Sequence, residues 1–158
     1  MAVVLGVIGA GHWLAGLDWN RPGRAGAPER LEAPAGQVAV VDGGTLRLQE
    51  RVVRLLGVTP PPRGKICRRD DGAEVDCGWA SADALAALVR GTSVACEVRS
   101  VDSMGRPLAV CRASGTELNH AVVAAGWARG DRSLPGLDGQ EAEARSKHRG
   151  LWATGESW

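Results

Sequence analysis

The sequence contains no tyrosine and no phenylalanine, and its aromatic share of 4% is carried entirely by six tryptophans. Those two missing rings often stack on single-stranded bases, so tryptophan alone is left for such a role. Charge of one sign is equally scarce: 19 Lys and Arg stand against 18 Asp and Glu, a formal net charge of +1. No broad electrostatic pull toward nucleic acid or acidic lipid follows from that balance. Only three histidines occur, His12, His120 and His148, none with a partner at metal-ligand spacing. Each is expected to be a satisfied structural or surface residue. The chain has no CxxC pair, which argues against a zinc site, and no internal repeat or low-complexity tract. Its 158 residues fit one compact domain with a short appendage.

The appendage is an apolar run, AVVLGVIGAGHWLAGL, at residues 2–17, broken only by His12 and followed by Trp19. At about 1.5 Å per residue it reaches roughly 24 Å, short of the roughly 30 Å hydrocarbon core of a bilayer. No Lys or Arg precedes it, and the small-residue site Ala25-Gly26-Ala27 is followed by Pro28, a poor residue after a cleavage point. Residues 1–19 are therefore read as an uncleaved membrane anchor, with a removed leader and a segment packed into the domain as alternatives. Trp13 and Trp19 suit a membrane interface. Residues 20–36, rich in Pro, Gly and Ala, read as a linker; residues 37–153 as the folded domain; and residues 154–158 as a tail.

Four cysteines form two local pairs. Cys96 ends one expected strand and Cys111 the next, so the two face each other across a hairpin; Cys67 and Cys77 flank a polar loop. Two disulfides would place the domain in an oxidising compartment, the periplasm or the cell exterior, in agreement with an anchor or export segment. Four free thiols in a cytosolic protein is the alternative. Arg21, Arg24 and Arg30 pull the other way, because basic residues beside an apolar run favour the cytoplasmic side.

From Gln37 onward short β-branched runs appear: QVAVV, then TLRLQ after the turn Asp42-Gly43-Gly44, then VVRLLGV. An Asp-Gly between two such runs is a hairpin signal. Gly78–Arg90 carries Ala82, Leu85, Ala86, Leu88 and Val89 on one apolar face and stops at Gly91, the pattern of a helix. Strands TSVACEVRS and RPLAVCR follow across the turn Asp102–Gly105. Glu117–Trp127, with Leu118, Val122 and Val123 inward, and the charged stretch GQEAEARSKHR supply two more helices. Trp79, Trp127 and Trp152 are expected in the core. The fold class is α+β, mainly β: a five-stranded OB-fold barrel with a helix between its third and fourth strands.

The motifs VVDGGTLRL (40–48), VRLLGVTPP (53–61) and DSMGRPLAVC (102–111), with ELNHAVVAAGWA and the closing GLW, occur in the order seen in the staphylococcal nuclease family. The chain resembles that family from residue 38 to 152. Members hold a calcium ion with acidic side chains from the hairpin turn and from the end of the third strand. A glutamate just beyond assists the attacking water, and two arginines clamp the phosphate. Calcium is a hard ion that wants several oxygen ligands, and phosphodiester cleavage wants an activated water beside cations.

Carried over residue by residue, the turn aspartate falls on Gly44, the strand-end aspartate on Thr59 and the glutamate on Pro62, while the arginines are retained as Arg54 and Arg106. With those three carboxylates replaced, no calcium or other cofactor is expected, and the chain reads as a pseudo-nuclease serving as a structural or binding module. Residues 2–19 would dock it on membrane protein subunits, as an accessory subunit of a membrane complex; nucleic acid is not expected as a partner. Two other readings stay open: an exported calcium-dependent nuclease with a rearranged site, and metal-independent anion or nucleic-acid binding by Arg54 and Arg106. Those arginines equally suit bracing of the barrel through loop carbonyls and Asp42 or Asp102. The basic run RGKICRRDD, with Arg63, Lys65, Arg68 and Arg69 offset by Asp70 and Asp71, reads as a solvated loop.

Overall fold

A computed structural model describes residues 28–69 and 71–154 of the chain. The apolar run at residues 2–19 and Asp70 lie outside the described residues. Among the described residues, no helix is long and apolar enough to cross a membrane.

The chain forms β1 (Arg30–Ala33), a 3-10 turn (Ala35–Gln37), β2 (Val38–Asp42), β3 (Thr45–Leu48), β4 (Arg51–Leu55), β5 (Val58–Thr59), β6 (Ile66–Arg68) and β7 (Glu74–Asp76). Helix α1 (Cys77–Val89) follows, then β8 (Val94–Val101), β9 (Pro107–Ala113), β10 (Thr116–Glu117), α2 (Leu118–Ala124), β11 (Arg129–Gly130), α3 (Leu137–Ser146) and a 3-10 turn (Gly150–Thr154). The class is mixed α+β, mainly β, with three helices. The five expected strands are β2, β3, β4, β8 and β9.

They lie in one sheet of order β1-β8-β9-β4-β3-β2, with β10 on β9. Neighbours are antiparallel except β4 and β9, which run parallel through Arg54↔Leu108 and Leu55↔Ala109. The expected closed barrel is not what the described pairing forms. The sheet path is open, and β1, from a stretch read as linker, pairs with β8 from Arg30↔Glu97 to Ala33↔Val94. Composition missed this strand because its order comes from a partner's hydrogen bonds and from Ala33, which is buried, and not from an apolar pattern of its own.

The core sits between the sheet and the helices. Leu46, Leu48, Val53 and Leu55 alternate inward along β3 and β4, and meet Leu85 and Val89 of α1, Leu118, Val122 and Val123 of α2 and Leu137 at the start of α3. Each such side chain contributes about 1.5–3 kcal/mol when fully buried. Helix α1 begins where the Asp76 carboxylate accepts the Trp79 N–H at 2.8 Å, and it buries Cys77, Ser81, Leu85 and Val89 at four-residue spacing. Trp79 corrects the expectation of a buried tryptophan. It stands two residues past Cys77, about 200° round the helix, and is 66% exposed. Trp152 is buried beneath the Arg145 guanidinium, 4.3 Å from its ring centroid.

All four cysteines are oxidised, which sets aside the free-thiol alternative. Cys96 and Cys111 are direct partners across β8 and β9, 4.0 Å apart at Cα, and Cys67 and Cys77 join β6 to the first residue of α1, 5.8 Å apart. Closing loops of this size contributes about 2–3 kcal/mol each in the loop-entropy account.

A single buried amide ties α2 to the sheet. Asn119, fully buried, donates from Nδ2 to the carbonyls of Leu56 at 2.9 Å and Ala109 at 3.0 Å, and accepts the Cys111 N–H at 3.0 Å. The three bonds join the end of β4, the middle of β9 and the helix. Nothing in the sequence pattern flags this residue, since a lone asparagine next to Leu118 looks like any helix-surface polar group.

Candidate functional site

The β2–β3 turn is an Asx turn. The Asp42 Oδ1 accepts the Gly44 N–H at 2.9 Å, and the Gly44 carbonyl accepts the Leu55 N–H from β4 at 2.8 Å. The turn is pressed from two sides. A Cβ added at Gly44 would lie 3.0 Å from Cδ of Pro60 and 3.4 Å from Cγ1 of Val58; one added at Gly43 would overlap Ser81, at 1.8 Å from its Oγ. Ser81 is held in place because its buried hydroxyl donates to the Trp127 carbonyl at 2.6 Å.

Beyond β5 the chain runs through three prolines. Thr59 is exposed and paired with Arg129 of β11; Pro61 is fully buried; Pro62 is exposed, and its carbonyl accepts the Lys65 N–H at 3.1 Å. Thr59 and Gly44 are thus close in the fold, joined by the Pro60 ring.

The two arginines meet on one carboxylate. Asp102 Oδ2 lies 2.7 Å from Arg106 Nε and 3.8 Å from Arg54 Nη1, and Asp102 Oδ1 accepts the N–H groups of Met104 and Arg106 at 2.9 Å each. These backbone bonds, that of Arg106 foremost, together with the Arg106 side chain outweigh partial burial and hold the Asp102 carboxyl below its ordinary range. A folded-state pKa below the unfolded one makes the group stabilising above the unfolded value, about 3.9, and that contribution is lost as pH falls through the lower folded value. The stability gap between the wild-type protein and Asp102→Asn is therefore expected to be full at neutral pH and to shrink below about pH 4. Urea denaturation at pH 7 and pH 3 checks it; a gap independent of pH contradicts it.

A family model described as staphylococcal nuclease homologue matches residues 52–154. The chain belongs to this family. It is also similar to the succinoglycan biosynthesis protein ExoI of Rhizobium meliloti (strain 1021), with 33% identity over 132 residues, covering 81% of this chain and 68% of the relative.

Set against the nuclease-family site, the structure gathers Gly44, Thr59, Arg54 and Arg106 around the same turn and strand ends. The donor set differs from what calcium wants. Gly44 offers no side chain, Thr59 a neutral hydroxyl and Pro62 neither acid nor base, while Asp42 and Asp102 are engaged with the turn amide and with the arginines. Among the described residues, no group of three or more His, Cys, Asp or Glu is placed to hold a metal ion. These residues do not fit a resident calcium ion, because a hard cation draws most of its binding energy from several anionic oxygens.

The basic loop is also partly committed. The β2 register shifts between Val40 and Asp42, so Val41 bulges out of the ladder, and its freed carbonyl is taken by the Arg63 guanidinium through Nε at 2.6 Å and Nη2. Arg68 pairs with Glu74 at 3.2 Å. Of the histidines expected to be structural, His120 contacts Glu117 through Nδ1 at 2.5 Å and the Pro135 carbonyl through Nε2 at 3.1 Å. The convergence of Arg54 and Arg106 on Asp102 was only one of several braces the sequence allowed; Asp42, the other carboxylate considered, caps its own turn instead.

Proposed function

We propose that this chain is a non-catalytic member of the staphylococcal nuclease homologue family, working as a structural or binding module outside the cytoplasm. The observation that carries the reading is the pairing of both arginines with Asp102 beside a turn and strand end that present glycine, threonine and proline. A guanidinium clamp without a metal or a base can hold a phosphate but does not readily activate water. The two disulfides support an oxidising compartment, and the apolar residues 2–19 support tethering to a membrane. Similarity to a succinoglycan biosynthesis protein supports placing the module in that kind of biosynthesis, as an accessory subunit docked on membrane components through residues 2–19. Nuclease activity tests the first part: incubated with denatured DNA and calcium, the protein leaves the DNA intact. Cleavage that a chelator abolishes would favour the rearranged nuclease instead. Purification from membranes in mild detergent tests the second part, since a monodisperse species without companions contradicts an accessory role.

A further inference from the structure

Helix α1 carries a second stripe besides the buried one. Trp79, Ala82, Asp83 and Ala86 follow one another at helical spacing and line a groove of about 330 Å³ together with Val40 and Arg63. That volume lies at the small end of the range for ligand pockets, roughly 300–1,000 Å³. The groove combines one large ring with small neighbours. The two alanines, with Gly64 and Gly78, add little bulk beside the indole, which is 66% exposed. An exposed tryptophan beside polar groups in a cleft is not explained by packing.

The groove is also built to keep its shape. A Cβ at Gly78 would lie 2.3 Å from the Pro62 carbonyl oxygen, so the start of α1 sits directly on the Pro62–Arg63 backbone. The Cys77 N–H donates to the Lys65 carbonyl at 2.8 Å, and the Cys67–Cys77 disulfide ties the same helix start to β6. Arg63 is fixed on the Val41 carbonyl.

The polar groups select the ligand. Asp76 and Asp83 face a single cation, Arg63, so the lining carries a net negative charge and disfavours phosphate or any other polyanion. Asp83 makes no hydrogen bond or ion pair among the described residues, and Asp76 uses only Oδ1 in capping the helix. These carboxylate oxygens are acceptors suited to hydroxyl donors, and the indole face, negative at its centre, suits the polarised C–H bonds on one side of a pyranose ring.

We propose that this groove binds a neutral pyranose oligosaccharide, with one sugar ring stacked on Trp79 and its hydroxyls donating to Asp83 and Asp76. The site shares no residue with the Gly44, Thr59, Arg54 and Arg106 cluster, and the proposal does not rest on the absence of catalysis. The test is a calorimetric titration of the full chain with cellohexaose, maltohexaose and laminarihexaose, and with oligothymidylate as the anionic comparison. At least one neutral hexaose binds saturably. Trp79→Ala weakens that binding on the order of tenfold, the value of one aromatic contact, while Trp79→Phe retains it and Asp83→Asn lowers it. Because Trp79 is exposed, its removal leaves the fold standing, which a matching melting temperature verifies. Failure of all three hexaoses to bind, indifference to Trp79→Ala, or a Trp79-dependent preference for oligothymidylate overturns the proposal.

Discussion

Asn119→Ala is expected to lower the stability of the domain by about 3 kcal/mol, roughly a hundredfold in the folding equilibrium. The side chain is fully buried and makes three hydrogen bonds with main-chain groups of Leu56, Ala109 and Cys111. Truncation removes those bonds and takes the side-chain partner from the Leu56 carbonyl and the Cys111 N–H in the interior, while the Ala109 carbonyl keeps the Leu56 N–H at 2.9 Å; each orphaned group costs about 1–3 kcal/mol unless water reaches it. Asn119 makes no hydrogen bond with Asp102, Arg54 or Arg106, so the expected effect is on stability. Urea denaturation followed by tryptophan fluorescence measures it. A loss under about 1 kcal/mol would mean that the amide is not what docks α2 on the sheet.

Rebuilding the missing acids should succeed only when the prolines are rebuilt with them. The backbone of Gly44 is not left-handed, so a side chain is admissible there. What opposes it is the Pro60 ring, 3.0 Å from the new Cβ. Gly44→Asp alone is expected to cost about 1–3 kcal/mol through overpacking and to yield no activity. Adding Pro60→Ala, which removes that ring, relieves the contact and recovers most of the stability. With Thr59→Asp and Pro62→Glu, both at exposed positions, calcium-dependent cleavage of denatured DNA is expected to rise at least about 100-fold above wild type, the scale of one positioned acid or base. A folded quadruple variant that cuts no faster than wild type would show that more than these side chains separates this site from an active one.

Much of this was legible in the residues because the signals are local. Asp42-Gly43-Gly44 between two β-branched runs specified the hairpin, Gly91 marks the end of α1, and the spacing of Cys96 and Cys111 follows from a hairpin that places them opposite each other. The positions Gly44, Thr59, Pro62, Arg54 and Arg106 could be named by motif alone. What escaped depends on partners distant in the chain. Strand β1 exists because β8 has an edge to offer, and its Pro- and Ala-rich surroundings give no periodicity to read. The closed barrel was expected because five strands suffice for one, and no strand pattern says that a sixth will lie on β8. Trp79 looked like core because tryptophan usually is; only the helical phase set by Cys77, Ser81 and Leu85 turns it outward. The bulge at Val41, and the guanidinium of Arg63 that answers it, likewise appear only once β2 is laid against β3.

Calcium binding by the full chain, followed by isothermal titration, tests the central claim most directly. With glycine, threonine and proline where anionic oxygens are needed, and with Asp102 held by two arginines, no saturable binding is predicted up to about 1 mM, the upper end of the range for weak extracellular sites. Stoichiometric binding below that concentration, lost in Asp42→Asn or Asp102→Asn, would contradict the account.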